Sequence, residues 1–124
     1  MTRTFFRVAG PIMLSAALFG CRSPIPDHFQ RDFLVEPNAG YLITDERANG
    51  FDLEVFYYEQ VVLPKRKNVV ENAKSTFVQI AAWLVSRIGR TPREISKRDL
   101  RVTVNRKTLE RRYEVSVTGR VTYR

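Results

Sequence analysis

The apolar residues after position 40 fall into segments with the spacing of strands and of one helix. Residues 40–45 and 50–64 are rich in Tyr, Phe, Val and Ile, the residue types that favour strands. The Asn49-Gly50 pair between these segments is typical of a tight hairpin turn. We therefore predict that the two segments form an antiparallel hairpin.

Residues 68–89 have the period of an amphipathic helix. The predicted buried face contains Val70, Ala73, Phe77, Ile80, Ala81, Leu84 and Ile88. Asn68 followed by Glu71 fits a capping box, so the helix is expected to begin at Asn68. Gly89, with Pro92 just beyond it, predicts where the helix ends.

The last 25 residues alternate between apolar and polar positions, which is typical of antiparallel strands with one wet face. Residues 100–105 form the first such segment, and residues 105–108 are predicted to turn the chain. The apolar face of the second segment is predicted to contain Leu109, Tyr113, Val115, Val117, Val121 and Tyr123. Arg111 is the exception on that face, near enough to the turn to reach solvent.

Together these segments predict an α+β fold with the element order β-β-α-β-β over residues 41–124. It is a two-layer sandwich in which one long helix packs on a mainly antiparallel sheet. The other face of the sheet is expected to be open, polar and basic.

The first 20 residues predict a signal peptide. Arg3 and Arg7 give a positive start, and residues 8–20 carry no charge. The alternative is a transmembrane helix, but this uncharged stretch is shorter than the roughly 20 residues that cross a bilayer.

Leu18-Phe19-Gly20-Cys21 resembles the lipobox of bacterial lipoprotein precursors, although Phe19 stands where that class usually has a small residue. The resemblance implies cleavage between Gly20 and Cys21, a thioether-linked diacylglycerol on Cys21 and acylation, for example by palmitate, of the new amino terminus. Arg22 stands where an aspartate often signals inner-membrane retention, so the resemblance implies an outer-membrane anchor facing the periplasm. The alternative is an ordinary signal peptide followed by a free thiol.

Residues 21–40 are expected to form the lipidated N-terminus and a tether. Pro24, Pro26 and Pro37 favour extended backbone there. A pure spacer needs no large apolar residues, yet this stretch contains Phe29, Phe33, Leu34 and Val35. We expect these residues to dock on the domain rather than on the bilayer.

The sequence provides little for catalysis. It contains one cysteine and one histidine, His28, so it has neither an internal disulfide nor the spacing of a zinc site. Nucleophile–base pairs and phosphate-loop glycines are not recognisable. Glu110 and Glu114 flank Arg112 on one strand face, which fits charge pairing better than acid–base catalysis. We expect no enzyme activity, catalytic residue, metal or cofactor; an enzyme whose site has no sequence signal remains the third alternative.

The net charge of +8 arises in the last third of the chain, where residues 87–124 hold 12 Lys/Arg and 4 Asp/Glu. The predicted open sheet face includes Arg101, Arg112, Arg120 and Arg124. These arginines are either a solvated face or a binding site for anionic lipid or glycan. Nucleic acid is not expected, because that face lacks aromatic residues for base stacking.

The predicted outer side of the helix carries no charge. It contains Asn72, Ser75, Gln79, Ala82 and Ser86, with Trp83 at its shoulder. This side is either a weakly polar solvent face or a contact with an envelope protein or a second copy.

The preferred hypothesis is that the protein is a non-catalytic interaction or assembly module of the cell envelope. The alternative is a module that binds anionic lipid or glycan.

Overall fold

The computed structural model describes residues 23–32, 38–60 and 66–124. The predicted α+β fold is confirmed there. Its elements are β1 (Ala39–Arg47), β2 (Gly50–Gln60), α1 (Arg66–Arg87), a 3-10 helix (Lys97–Asp99), β3 (Arg101–Lys107) and β4 (Arg112–Thr122). The predicted signal peptide and the predicted lipidation site at Gly20 and Cys21 lie outside the described residues, as do Phe33, Leu34 and Val35.

The four strands form one antiparallel sheet in the order β1-β2-β4-β3. Val55 of β2 lies at its centre, opposite Tyr41 of β1 and Val117 of β4. The helix α1 packs over the two central strands, β2 and β4. Since strand side chains alternate between faces, the fully buried Val55, Val115 and Val117 all meet the helix, whereas the polar residues between them point to the opposite side, here called the back face.

A glycine in β4 allows the helix to approach the sheet closely. A Cβ atom on Gly119 would lie 2.5 Å from Cδ2 of Leu100 and 3.0 Å from Cζ of Phe77. Phe77 is the largest fully buried side chain of the core. The missing side chain at position 119 therefore provides the space into which the Phe77 ring fits.

The predicted start of the helix was wrong. The helix begins at Arg66, so Asn68 lies within its first turn rather than at the N-cap. Arg and Lys are better helix formers than Asn, so Arg66 and Lys67 join the helix. The predicted end is confirmed, because Gly89 has φ of 73° and the Arg90 amide donates to the Val85 carbonyl.

The buried face of α1 is rotated slightly from the predicted one. Val69 and Val85 are fully buried, whereas Val70 is only partly buried and Ile88, just past the helix, is 56% exposed. Thr76 is also buried, and its hydroxyl donates a hydrogen bond of 2.9 Å to the Asn72 carbonyl. This bond satisfies the hydroxyl within the helix, which is why a polar residue is accepted on the core side.

The second hairpin turns later than predicted. β3 continues to Lys107, which pairs with Arg112, and residues 108–111 form the turn. Leu109 is consequently 96% exposed and does not share the apolar face of β4 as expected. Arg111 has φ of 55° and is exposed in the turn.

Residues 23–32, here called the strap, pack against residues 38–60 and 66–124, here called the body. Ile25 and Phe29 are 3% and 7% exposed and form a small cluster with Phe56 on the back face. Leu42 and Tyr58 flank this cluster. The strap therefore covers the β1–β2 part of the back face, while the β3–β4 part stays open with exposed Arg101, Thr103, Asn105 and Arg120. The expected docking of Phe29 on the domain is confirmed.

Candidate interaction surfaces

The strap crosses from the back face to the helix side around the outer edge of β1. The Gln30 amide donates to the Tyr41 carbonyl at 2.7 Å, and the Tyr41 amide donates to the Gln30 carbonyl at 2.9 Å. This pair satisfies the outward-facing backbone groups of Tyr41 on the edge strand.

Asp32 fixes the strap on the helix side. The Tyr41 hydroxyl donates to one Asp32 oxygen at 2.7 Å, and Arg87 Nη1 donates to the other at 3.3 Å. The Tyr41 hydrogen bond and the Arg87 charge lower the pKa of the Asp32 carboxyl. Burial, with the Asp32 hydrogen bond second, raises the pKa of Tyr41 to about 12. The Arg87 guanidinium also lies 4.6 Å from the centre of the Trp83 ring, so the junction reaches the shoulder of the helix.

Gly40 is the position that allows the strap to lie so close to β1. A Cβ atom there would lie 2.7 Å from Cγ2 of Ile25, 3.1 Å from the Gln30 carbonyl oxygen and 3.2 Å from Cβ of Phe29. Along its length the strap therefore makes three kinds of contact with the rest of the domain. Ile25 and Phe29 are buried, Gln30 forms a pair of backbone hydrogen bonds, and Asp32 accepts a side-chain hydrogen bond.

The four predicted anion-binding arginines do not come together. Arg112 pairs with Glu114 at 2.7 Å, and both are largely buried, at 22% and 13% exposure. Arg120 lies eight residues further along β4, a separation of roughly 26 Å, and its Nε lies 3.6 Å from Asp52. Arg124 lies beyond the end of β4 and is exposed.

Arg101 and Arg120 do line a common cleft of about 480 Å³ at one end of the back face. Asp52, Glu54 and Asp99 line the same cleft. Asp52 accepts a hydrogen bond of 2.7 Å from Arg47, and this bond, ahead of the nearby charges, lowers the pKa of the Asp52 carboxyl. The cleft is therefore lined by both signs of charge, which does not favour a phosphate ligand.

The predicted outer side of the helix is largely exposed. Asn72, Gln79, Ala82 and Ser86 are exposed, while Ser75 and Trp83 are partly buried. Asn72 donates to Glu59 at 2.7 Å, and Ser75 accepts from Lys97 at 2.9 Å. Ala82 lines a groove of about 440 Å³ between the helix and the following loop, with Val78, Pro92 and Ile95 as apolar walls. The charged residues Arg93, Glu94 and Lys97 also line this groove, which adjoins the predicted partner surface at Ala82.

The described part of the chain offers no metal centre, since no three His, Cys, Asp or Glu side chains in it are grouped to hold an ion. His28 lies in the strap, its ring 4.8 Å from that of Phe29. Among the same residues, no helix combines the length and apolar character that a bilayer crossing requires.

Sequence reasoning missed the site on which the strap docks. Its signal is the appearance of Leu42, Phe56 and Tyr58 at positions whose side chains point away from the helix. Strands apolar on both faces indicate a sheet covered on both sides. The first hairpin shows this pattern, while the second, with its polar back face, does not.

Comparisons with known proteins add no relative, because no family model, curated protein or solved structure matches the chain significantly.

Proposed function

We propose that this protein is a lipid-anchored component of the bacterial outer membrane whose periplasm-facing α+β domain is a non-catalytic assembly module. The observation that supports this most directly is the docked strap. It ties the body to the segment immediately after Cys21, the residue that resembles a lipidation site.

The docked strap limits how far the body can lie from the bilayer. The buried Ile25 lies four positions after Cys21, and four steps of the chain span at most about 14 Å when fully extended. A free tether from residue 22 to residue 40 would instead reach roughly 60 Å. The body is thereby kept next to the lipid headgroups, with the strap side nearest to them.

The outer side of α1 supplies the partner surface in this proposal. It lies on the face of the fold opposite the strap cluster, and its groove has apolar walls at Val78, Pro92 and Ile95. A body held at the bilayer and open on its helix side suits an envelope protein, or a second copy, that meets it near the membrane. Since Arg112 and Arg120 are engaged with carboxylates, binding of anionic lipid or glycan has less support.

Two measurements on the native membrane fraction test the proposal. Intact-mass analysis of the purified protein should give a chain that starts at Cys21 and carries diacylglycerol and an acyl group. Cross-linking and affinity purification from the same membranes should recover a partner or a dimer. A full-length chain with an alkylatable Cys21 in the aqueous fraction would refute the anchor.

The partner surface needs its own variant. Gln79→Glu with Ala82→Glu adds two charges on the outer side of the helix, where both residues are exposed. Ala48→Glu with Thr91→Glu adds the same charge at exposed positions of two loops and is the matched control. We expect the first pair to abolish co-purification and the second to preserve it; equal recovery from both would exclude this surface.

A further inference from the structure

We propose that the outer edge of β3 binds an extended acidic segment of another protein, which joins the sheet as an additional strand. The inference rests on the proposed function, since it gives a chemistry to a partner of the assembly module. It concerns the sheet edge rather than the outer side of the helix.

The two edge strands of the sheet differ in how they are protected. The strap pairs with β1 at Tyr41, and β1 also has a register shift between Thr44 and Arg47, where Asp45 has φ of 50°. Both features interrupt an edge and block the addition of another strand. β3 has neither: its seven residues pair with β4 without a shift, and its other edge pairs with nothing in residues 23–32, 38–60 and 66–124.

The side chains of β3 also leave room for a neighbour. The helix packs over β2 and β4, so Val102 and Val104 on the helix side of β3 are only partly buried. Alternate apolar residues of an added strand would lie beside these two valines and cover them. Backbone hydrogen bonds to the added strand would supply affinity. Contacts of its alternate side chains would supply specificity, as in other strand-addition complexes.

The charge on β3 specifies the partner. Arg101, Arg106 and Lys107 form no ion pair with any carboxylate of the described residues. By contrast, Arg47 and Arg112, elsewhere in the sheet, each have a carboxylate partner at 2.7 Å. Carboxylates on an added strand would form the ion pairs that these basic residues of β3 lack.

The same charge argues against occupants from this chain. If β3 paired with β3 of a second copy, the basic residues near its two ends would oppose each other, and like charges across strands are destabilising. The segments outside the described residues, 1–22, 33–37 and 61–65, contain a single acidic residue, Glu36. None of these segments offers an acidic strand, so the proposal assigns it to another protein.

The probe is a fluorescently labelled eight-residue peptide that alternates glutamate with valine, titrated against the purified full-length chain in non-ionic detergent. Two control peptides replace every glutamate with glutamine or methylate alternate backbone amides. We expect saturable binding of the probe, weaker binding of the glutamine peptide and none of the methylated one. Hydrogen exchange should slow at Arg101–Lys107 in the complex.

Charge variants locate the site. Arg101→Glu with Lys107→Glu should weaken binding of the probe by about tenfold or more, because two attractive cross-strand pairs become repulsive. Arg93→Glu with Arg124→Glu makes the same charge change outside β3, at exposed positions, and should leave affinity within about twofold. Circular dichroism of both variants should match the unmodified protein.

Three outcomes would overturn the inference: equal affinity for the methylated peptide, exchange protection at a site other than β3, or β3 protection that appears with protein concentration alone. Protection of β3 by anionic vesicles without any by the probe would also overturn it.

The anchor is measured separately by intact mass, so loss of peptide binding with a lipidated Cys21 refutes only the strand-addition site. An unlipidated chain that still binds the probe refutes only the membrane proposal.

Discussion

The hydroxyl of Tyr41 and the carboxylate of Asp32 are joined by a hydrogen bond of 2.7 Å, which links the edge strand of the sheet to the strap. Arg87 at the end of α1 shares the same carboxylate. Three separate segments of the chain therefore meet at Asp32, and Trp83, the only tryptophan, lies beside them with its ring 5.9 Å from that of Tyr41. This junction provides a spectroscopic test of whether the strap is docked.

Replacing Tyr41 with phenylalanine should remove a distinctive ionisation. Burial raises the pKa of Tyr41 from 10.0 to about 12. In a spectrophotometric titration of tyrosinate, the difference between the unmodified protein and Tyr41→Phe should therefore be a single step near pH 12. A difference step at an ordinary tyrosine pKa would mean that the strap does not shield this hydroxyl.

The strap junction should also weaken at both extremes of pH. The pKa of Asp32 is lowered in the folded protein, so its contribution to stability is present above the ordinary value of 3.8 and is lost as pH falls through the lowered pKa. The pKa of Tyr41 is raised, so its contribution is present below 10.0 and is lost as pH rises to about 12. Trp83 emission should be constant between these limits and change outside them. Asp32→Asn should remove the acid-side change, and a variant that retained it would show that another group is responsible.

Adding one methyl group at Gly40 should loosen the strap and leave the core intact. The new carbon would lie 2.7 Å from Ile25 and 3.1 Å from the Gln30 carbonyl, so the strap must shift. We expect Gly40→Ala to lower the free energy of unfolding by about 1–2 kcal/mol and to speed hydrogen exchange at Gln30 and Tyr41.

Gly89→Ala is the matched control for Gly40→Ala. Its new carbon meets no atom within 4 Å, but its backbone has φ of 73°. The strain should cost about 1 kcal/mol without changing exchange in the strap. Equal exchange in the two variants would show that Gly40 has no specific role in docking.

The sequence predicted the layers of this fold because periodicity reports which face of an element is buried. Val115 and Val117 were assigned correctly since strand alternation has a period of two and allows no drift. The helix was harder, because its apolar arc is broad and residues such as Val69 and Val70 differ by only 100°.

Strap docking depends on the fit between Gly40, Ile25 and Phe29, residues brought together only by tertiary structure. The arginines of β4 were placed on the correct face, but their carboxylate partners follow from register and rotamer, which periodicity does not specify.

Arg112 should prove to be a structural residue. Its bond to Glu114 is 2.7 Å long, and Glu114 is only 13% exposed. Arg112→Ser would leave that carboxylate without its partner, and we expect a loss of about 1–3 kcal/mol in the free energy of unfolding. Chemical denaturation of Arg112→Ser, Glu114→Gln and the double variant measures the coupling. The double variant should be more stable than Arg112→Ser alone; additive losses would show that the pair contributes nothing.

If the body functions by being held close to the bilayer, a longer connection to the anchor should impair it without releasing it. Ten Gly/Ser residues inserted between Arg22 and Ser23 leave the strap contacts unchanged and add up to about 35 Å of reach. We expect the variant to remain lipidated and in the membrane fraction, but to lose the partner recovered by cross-linking.

The same ten residues inserted after Leu109 are the control. That position is fully exposed in the β3–β4 turn, where an insertion does not change the distance from the membrane. Partner recovery should persist in this control if it folds, which circular dichroism reports. Retained recovery in the Arg22–Ser23 insertion would mean that the anchor keeps the protein in its compartment but does not set its height. The docked strap would then serve to cover Phe56 and Leu42, which would otherwise face water, and would not position the body on the membrane.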